Sequence, residues 1–312
     1  MSDPRINAIR HFFCGLAMGA ADAVPGISGG TVALVLGIYR RLVDAISQVN
    51  VEAFTLLRKR QWKTLAERFD LWFLLALGGG IVCGLLTFVV LLHELIGEPD
   101  HPARTQPLVY ATFFGAIAAS GYLVTRMIHP KSTQHAILCI VLAVAGGAFA
   151  YWLTGLPAFD EFTTAPNPII SFLLGAIAIC AMILPGISGS YLLLVFGAYH
   201  YFSGVPKALA KGQLVMGDLF AFACFAIGCL VGLLSFSKLL KWLLHQHEAI
   251  TLSLMGGFMI GALRKLWPWQ PDAPIENPIS NETAICFTLM IVAAIVVVAV
   301  DFIARPKAED PL

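Results

Sequence analysis

Long apolar runs recur along the whole chain, with no hydrophilic block between them that is large enough to fold separately. Six of the runs are long enough to cross a hydrocarbon core about 30 Å thick. They are Trp72–Ile96, Leu108–Ile128, Ala136–Gly155, Leu219–Leu244, Ile250–Trp267 and Ala284–Ala304. The pattern predicts an all-α polytopic membrane protein.

Two further apolar runs are each interrupted near the middle by a Pro-Gly pair. Such a pair breaks a helix, and lipid cannot satisfy the backbone groups that the break leaves unpaired. A break therefore persists only where protein, water or a ligand covers it. We interpret each run as a re-entrant helical hairpin that enters and leaves the membrane on one side. The breaks are Pro25 and Gly26 in the run 11–39, and Pro185 and Gly186 in the run 169–202.

The chain contains an internal repeat. The segment from Pro25 to Tyr39 returns as Pro185 to Tyr199, and the segment from Asp70 to Phe88 returns as Asp218 to Phe236. Each half has one hairpin and three spans. Because three is an odd number, the second half enters the membrane in the opposite orientation, which predicts two inverted repeats. The halves comprise residues 1–157 and 158–312.

Composition agrees with this architecture, since 58% of the residues are hydrophobic, 12% are charged and the mean hydropathy is +0.80. A net charge of +1 indicates no nucleic-acid partner. The seven cysteines lie inside apolar stretches without a CxxC pair or a Cys/His cluster. We expect no metal and no cofactor.

The basic residues predict the orientation. With re-entrant hairpins, the N-terminus and the basic segment 40–70 share one side, and the positive-inside rule makes that side cytoplasmic. Both termini of a multi-pass protein of the bacterial inner membrane then face the cytoplasm. All but five of the 20 Lys and Arg residues lie on that side; the exceptions are Arg104, Lys207, Lys211, Arg264 and Lys265.

The chain beyond each break is suited to bind an anion. A new helix is expected to begin near Thr31 in one half and near Tyr191 in the other, with the hydroxyls of Ser28 and Ser188 beside it. Free N–H groups and the positive end of the helix dipole attract negative charge there. A kinked hairpin that serves only close packing is the alternative.

Two charged residues lie close to the predicted membrane core. Asp22 precedes the first break, where a buried carboxylate costs at least ~2.5 kcal/mol, and its repeat counterpart is the uncharged Met182. Asp22 is therefore a candidate site for a coupled proton or sodium ion, or else a capping carboxylate. Arg264 lies well inside an outward-running span and either pairs with an anion or extends to the outer headgroups.

At these residues the chain resembles the bacterial undecaprenyl-phosphate translocase family known as PopT. The resemblance covers nearly the whole chain and is carried by the segments Met18–Gly30, Leu184–Ser190 and Gly257–Trp269. It implies a flippase and not an enzyme. The family's substrate, undecaprenyl phosphate, would be returned from the outer to the cytoplasmic leaflet for the synthesis of peptidoglycan and other envelope polymers.

Taken with the resemblance, the two breaks predict a phosphate site where the hairpin tips meet, while the prenyl tail stays among the membrane lipids. Backbone and hydroxyl groups donate hydrogen bonds, and an arginine supplies the countercharge. The residues expected to form this site are Ser28, Gly29, Gly30, Ser188, Gly189, Ser190 and Arg264.

Two alternatives from other classes remain open. An ion-coupled secondary transporter of a small soluble anion would use the same kind of site. Membrane prenyl-pyrophosphate phosphatases also have inverted re-entrant repeats, with a Pro-Gly-x-Ser motif that continues into Arg. Here Gly29 and Gly189 follow the serines, and no pair of glutamates lies near the first motif.

The orientation is testable by cysteine labelling. A cysteine placed at Gln61 in an otherwise cysteine-free chain should resist an impermeant thiol reagent in intact spheroplasts and react after lysis. Labelling before lysis would exclude the re-entrant topology.

Overall fold

A computed structural model describes residues 4–23, 28–49, 58–98, 101–102, 105–157, 159, 161–212, 215–269 and 281–304. The helices described in the first half are α1 (Pro4–Asp22), α2 (Gly29–Val35), α3 (Tyr39–Ser47), α4 (Trp62–Arg68), α5 (Leu71–Ile96), α6 (Gln106–Arg126) and α7 (Thr133–Leu153). A two-residue antiparallel ladder, β1 (Gly97–Glu98) with β2 (His101–Pro102), closes the turn between α5 and α6.

The second half repeats this order. Its described helices are α8 (Pro168–Ile183), α9 (Gly189–Val195), α10 (Tyr199–Ala210), α11 (Met216–Gln246), α12 (Glu248–Ala262) and α13 (Asn281–Ala304), with a 3₁₀ turn, Leu263–Leu266, after α12. Six helices, α5, α6, α7, α11, α12 and α13, are long and apolar enough to cross a membrane, as the sequence predicts.

Both interrupted runs fold back on themselves. In the first half, His11 near the start of α1 lies 3.0 Å from the guanidinium of Arg41 in α3, with the break between them. In the second half, the backbone N–H groups of Phe159 and Phe162, before α8, donate to the carbonyls of Val195, the last residue of α9, and Gly197, at 2.8 and 3.0 Å. Each hairpin therefore begins and ends in the same part of the protein.

Glycine permits the closest helix contacts. A Cβ atom on Gly80 in α5 would collide with the carbonyl oxygen of Phe12 in α1, and one on Gly228 in α11 would collide with that of Phe172 in α8. These two contacts occupy equivalent positions of the repeat. Such close approach is how helices associate in lipid, where hydrophobic burial gives little driving force. Further glycines with the same role in these two helix pairs are Gly15, Gly19, Gly84, Gly175 and Gly232.

The other spans pair across the two halves. Helix α7 packs along α12, α13 packs along α6, and α6 also contacts α12. Gly257 of α12 lies against the carbonyl of Ala143 in α7, and Gly115 of α6 lies against that of Met290 in α13. Helix α12 is central, since 67% of its membrane-length window is buried, against 44% for α6 and 17 to 22% for the other four.

Charged residues from both halves meet at one end of the bundle, which we call the paired end. There Arg40 forms an ion pair with Glu248, and Lys241 forms one with Asp44, with 3.1 Å between Nζ and Oδ1. All four residues lie in segments for which the charge distribution predicts the same side of the membrane. The contacts therefore agree with the side assignment.

A second pair of contacts follows the repeat. At the paired end, Arg41 in α3 donates to the carboxylate of Asp70 at 2.5 Å. At the equivalent positions of the second half, the hydroxyl of Tyr201 donates to the carboxylate of Asp218 at 2.6 Å. An aspartate at the start of α5 and one at the start of α11 thus each bind the last helix of the hairpin in the same half, α3 and α10 respectively.

The glycine contacts generate a stability prediction. Gly80→Ala should destabilise the protein by about 1–3 kcal/mol, because the added Cβ overpacks the α1–α5 contact. Gly78→Ala is the matched control, because Gly78 lies two residues earlier in α5 and a Cβ there would have open space around it. The measurement is the midpoint of thermal unfolding in detergent, and equal midpoints for the two variants would contradict the packing role.

Candidate functional site

A serine begins the helix after each break. Ser28 is the N-cap of α2, and its Oγ accepts from the N–H of Gly30; Ser188 is the N-cap of α9, and its Oγ accepts from the N–H of Tyr191. The helices therefore begin at Gly29 and Gly189, two residues before the expected starts, because serine is a strong N-cap residue. Pro25 and Gly26 lie outside the described residues.

The carboxylate of Asp22 caps α2 as well. Its Oδ1 accepts from the N–H of Gly29 at 2.6 Å, and a Cβ on Gly29 would lie 2.5 Å from its Oδ2. The first donor of α2 is thus bonded to an anion from the protein itself. This geometry is the capping arrangement that the sequence left as an alternative, and it leaves an ion-coupling role untested.

Ser28 binds the other hairpin. Its Oγ lies 3.2 Å from the carbonyl oxygens of both Met182 and Leu184, at the C-terminal end of α8. A hydroxyl has one proton, so it donates to one of the two carbonyls at a time. These carbonyls are among the groups that the second break leaves without a helical partner.

Two further hydrogen bonds join the breaks. The hydroxyl of Tyr39 donates to the carbonyl of Ile183 at 3.0 Å, and Thr31 Oγ1 accepts from the N–H of Gly186 at 3.0 Å. Sequence reasoning missed both side chains. Tyr39 returns as Tyr199 in the repeat and so stood out in the alignment, but the alignment could not show that its partner belongs to the opposite hairpin.

Glycine is required at the second break. Gly186 has a φ of +88°, and a Cβ there would lie 2.5 Å from the backbone nitrogen of Met259 in α12. Gly189 packs so closely on α8 that a Cβ would collide with the carbonyl of Ala178. Pro185 and Gly186 thus bring the chain against the central helix.

The serine after the first break, Ser28, and those after the second, Ser188 and Ser190, have different hydrogen-bond partners. Ser188 Oγ lies 2.8 Å from Ser190 Oγ, and the next residue, Tyr191, donates its hydroxyl to the carbonyl of Thr154 at 3.0 Å. Among the described residues no hydrogen bond joins Ser28 directly to Ser188. The structure brings the breaks together through main-chain groups 182–186 and leaves the serine pair of the second break beside the end of α7.

Arg264 lies in the 3₁₀ turn after α12, and its side chain is exposed. Its Nη1 donates to the carbonyl of Tyr151 at 3.0 Å, and its guanidinium lies 4.4 Å above the Tyr151 ring. The neighbouring Lys265 lies 5.5 Å above the ring of Tyr191, whose hydroxyl reaches Thr154. Two cations thus flank the end of α7, on the same side of the bundle as Ser190, at the end opposite to the paired end.

The site is built from hydroxyls, main-chain groups, one carboxylate and nearby cations. Within the described ranges, no group of three or more His, Cys, Asp or Glu side chains is arranged to hold a metal. The arrangement therefore offers hydrogen bonds and charge to a ligand, and these are the interactions by which proteins bind oxyanions.

Comparison with known proteins identifies the family of this chain. Residues 18–284 match the family described as "VCA0040-like: Undecaprenyl phosphate translocase-like". The chain belongs to the undecaprenyl phosphate translocase-like family. No solved structure matches it. The resemblance noted in the sequence is thereby confirmed for most of the chain.

Two relatives match this chain over most of its length. The chain is 37% identical over 270 residues to a protein of Vibrio cholerae serotype O1, covering 86% of this chain and 81% of the relative. It is 29% identical over 275 residues to a protein of Staphylococcus aureus, covering 82% and 85%. Both relatives are named polyprenyl-phosphate transporter.

The contact between the breaks is testable. Thr31→Val should destabilise this translocase-like chain by about 1–3 kcal/mol, because it leaves the buried N–H of Gly186 without an acceptor. Thr87→Val is the matched control, since the exposed Thr87 only donates to Cys83 within its own helix. Thermal unfolding midpoints report the difference, and equal midpoints would mean that the Gly186 N–H has another acceptor.

Proposed function

We propose that this protein moves a prenyl phosphate across the bacterial inner membrane, from the outer to the cytoplasmic leaflet. The substrate class is supported by the family and by the two relatives that are named polyprenyl-phosphate transporter. The single observation that carries the proposal is the bonding of the first hairpin, through Ser28, Thr31 and Tyr39, to the second helix break inside an apolar bundle. The returned lipid is undecaprenyl phosphate, the carrier on which envelope polymers are built.

The two halves, residues 1–157 and 158–312, act as inverted repeats. Equivalent glycine contacts in the pairs α1–α5 and α8–α11 support a duplicated unit, as do the equivalent partners of Asp70 and Asp218. The exchange of spans between halves, α7 with α12 and α13 with α6, supports an arrangement about a two-fold axis. Repeats of this kind let a central site open alternately to the two sides.

A phosphate monoester has a charge of about −1.5 to −2 near neutral pH and must stay solvated while it crosses. The hydroxyls of Ser28, Ser188 and Ser190 and the N–H groups that begin α2 and α9 solvate it in this proposal. Arg264, near the end of α7, supplies the first countercharge on the outer side. The tail remains in lipid.

In the described structure the donors of the first break are bonded to the protein itself. Asp22 binds the N–H of Gly29, and Ser28 binds the carbonyls of the second hairpin. Arrival of a phosphate at α2 therefore requires the Asp22 carboxylate to leave or to be neutralised, since two anions repel each other at one donor. Uptake of a proton or a sodium ion by Asp22 would allow this exchange and would couple the ion to transport.

A carrier for a small soluble anion uses the same groups and is the main competing function. An enzyme that hydrolyses prenyl pyrophosphate is less well supported, because Gly29 and Gly189 occupy the positions that hold Arg in the phosphatase motif. A transport assay distinguishes lipid movement from transport of a soluble anion. Release of phosphate from prenyl pyrophosphate would instead show that the protein is a phosphatase.

The decisive experiment is transport in liposomes. Purified protein in vesicles that contain undecaprenyl phosphate should move the headgroup between leaflets faster than empty vesicles, measured by its access to an external phosphatase. Arg264→Ala should slow this movement more than the neighbouring Lys265→Ala. Entry of inorganic phosphate without movement of the lipid would overturn the proposal in favour of the soluble-anion carrier.

Asp22→Asn separates charge from capping. An asparagine oxygen can still accept from the Gly29 N–H, so the variant should fold and insert normally, but it cannot take up a proton. We expect transport to fall about a hundredfold or more, the lower end of the range typical for loss of an acid–base group, and its ion dependence to disappear. Normal transport with unchanged ion dependence would leave Asp22 with the capping role alone.

A further inference from the structure

A polar cavity of about 590 Å³ lies at the paired end, away from the two breaks. It is formed between the connection from α6 to α7 and the connection from α11 to α12. The ionisable side chains that line it are His129, Lys131, His135, His245, His247 and Glu248.

The cavity favours negative charge. The helices α7 and α12 begin at its wall and α6 and α11 end there, so the opposing helix dipoles largely cancel and the net charge comes from side chains. Lys131 adds a full positive charge. The carboxylate of Glu248 is paired with Arg40, so its charge is compensated.

Two of the histidines have fixed hydrogen bonds. His135 Nδ1 accepts from the backbone N–H of Lys131 at 3.1 Å, so the neutral ring has its proton on Nε2 and offers a donor there. His129 Nδ1 lies 2.9 Å from the carbonyl of Met127 and donates to it. Of the remaining two, His245 lies 3.5 Å from a carboxylate oxygen of Asp44, and His247 packs against the ring of Trp242.

The wall of the cavity becomes apolar toward the helix bundle. Its lining includes the apolar side chains of Met127 and Ile250, at the ends of the helices that lead into the apolar interior. A ligand with a charged head and an apolar continuation fits this gradient better than a fully polar molecule does. A metal is a poor fit, because no three potential ligands in the described part of the chain are arranged to hold one.

We propose that this cavity binds a phosphate monoester. The three phosphate oxygens accept from Lys131, from His135 Nε2 and from His247. The phosphate comes either from a lipid headgroup that has reached this side or from free phosphate. The lipid source rests on the proposed function, whereas binding of the phosphate group itself does not.

The test is equilibrium binding to the purified full chain in lipid nanodiscs, with two probes: radiolabelled inorganic phosphate, and undecaprenyl phosphate placed in the disc. The double variant Lys131→Ala/His135→Gln should weaken binding of at least one probe by about tenfold or more, the loss expected for two charge-assisted hydrogen bonds. Loss for both probes identifies the phosphate group itself as the ligand, and loss for the lipid alone identifies the headgroup as the source.

The matched control is His200→Gln/Lys211→Ala, which makes the same chemical changes at exposed residues in α10 and the turn after it. It should bind both probes like the unaltered chain. If the Lys131/His135 variant, with an unchanged thermal unfolding midpoint, bound both probes as tightly as this control, the cavity would not be a phosphate site. Because inorganic phosphate binding needs no lipid movement, a failed transport assay would leave this inference standing, and a failed binding assay would leave the transport proposal standing.

Discussion

Every main-chain N–H and C=O group inside lipid needs a partner within the protein, and two broken helices leave several such groups without one. In the described part of the chain, side chains of the first hairpin satisfy groups of the second break. Ser28, Thr31 and Tyr39 of the first hairpin bind main-chain groups of residues 182–186 in the second. All three side chains are buried, so the surrounding helices exclude lipid from this contact.

Much of the fold was predictable, because span length, glycine spacing and the internal repeat are local properties of a sequence. The partners of Ser28 and Thr31 were not, since they lie more than 150 residues away and no local pattern encodes them. The capping bond of Asp22 was foreseen only as one of two possibilities. Arg264 lies within the apolar span Glu248–Leu266, as expected, but its contact with Tyr151 depends on the 3₁₀ turn after Ala262, which the sequence did not indicate.

The two halves have the same framework but different chemistry at equivalent positions. Arg41 and Asp70 form an ion pair, whereas Tyr201 and Asp218 form a hydrogen bond with a neutral donor. The first break has Asp22 where the second has Met182. In the inverted repeat proposed above, two end states related by exact symmetry would have equal free energy, and these differences between the halves would make the two free energies unequal.

The glycine contacts also determine which parts can move separately. Helices whose backbones touch, as at Gly80 and Phe12 or at Gly228 and Phe172, interlock and cannot slide without a collision. Each hairpin is therefore packed rigidly against one span of its own half: α1 against α5, and α8 against α11. The proposed transport requires the halves to move relative to each other, and the contact between the hairpins, made of single hydrogen bonds, is the weaker one and would open first.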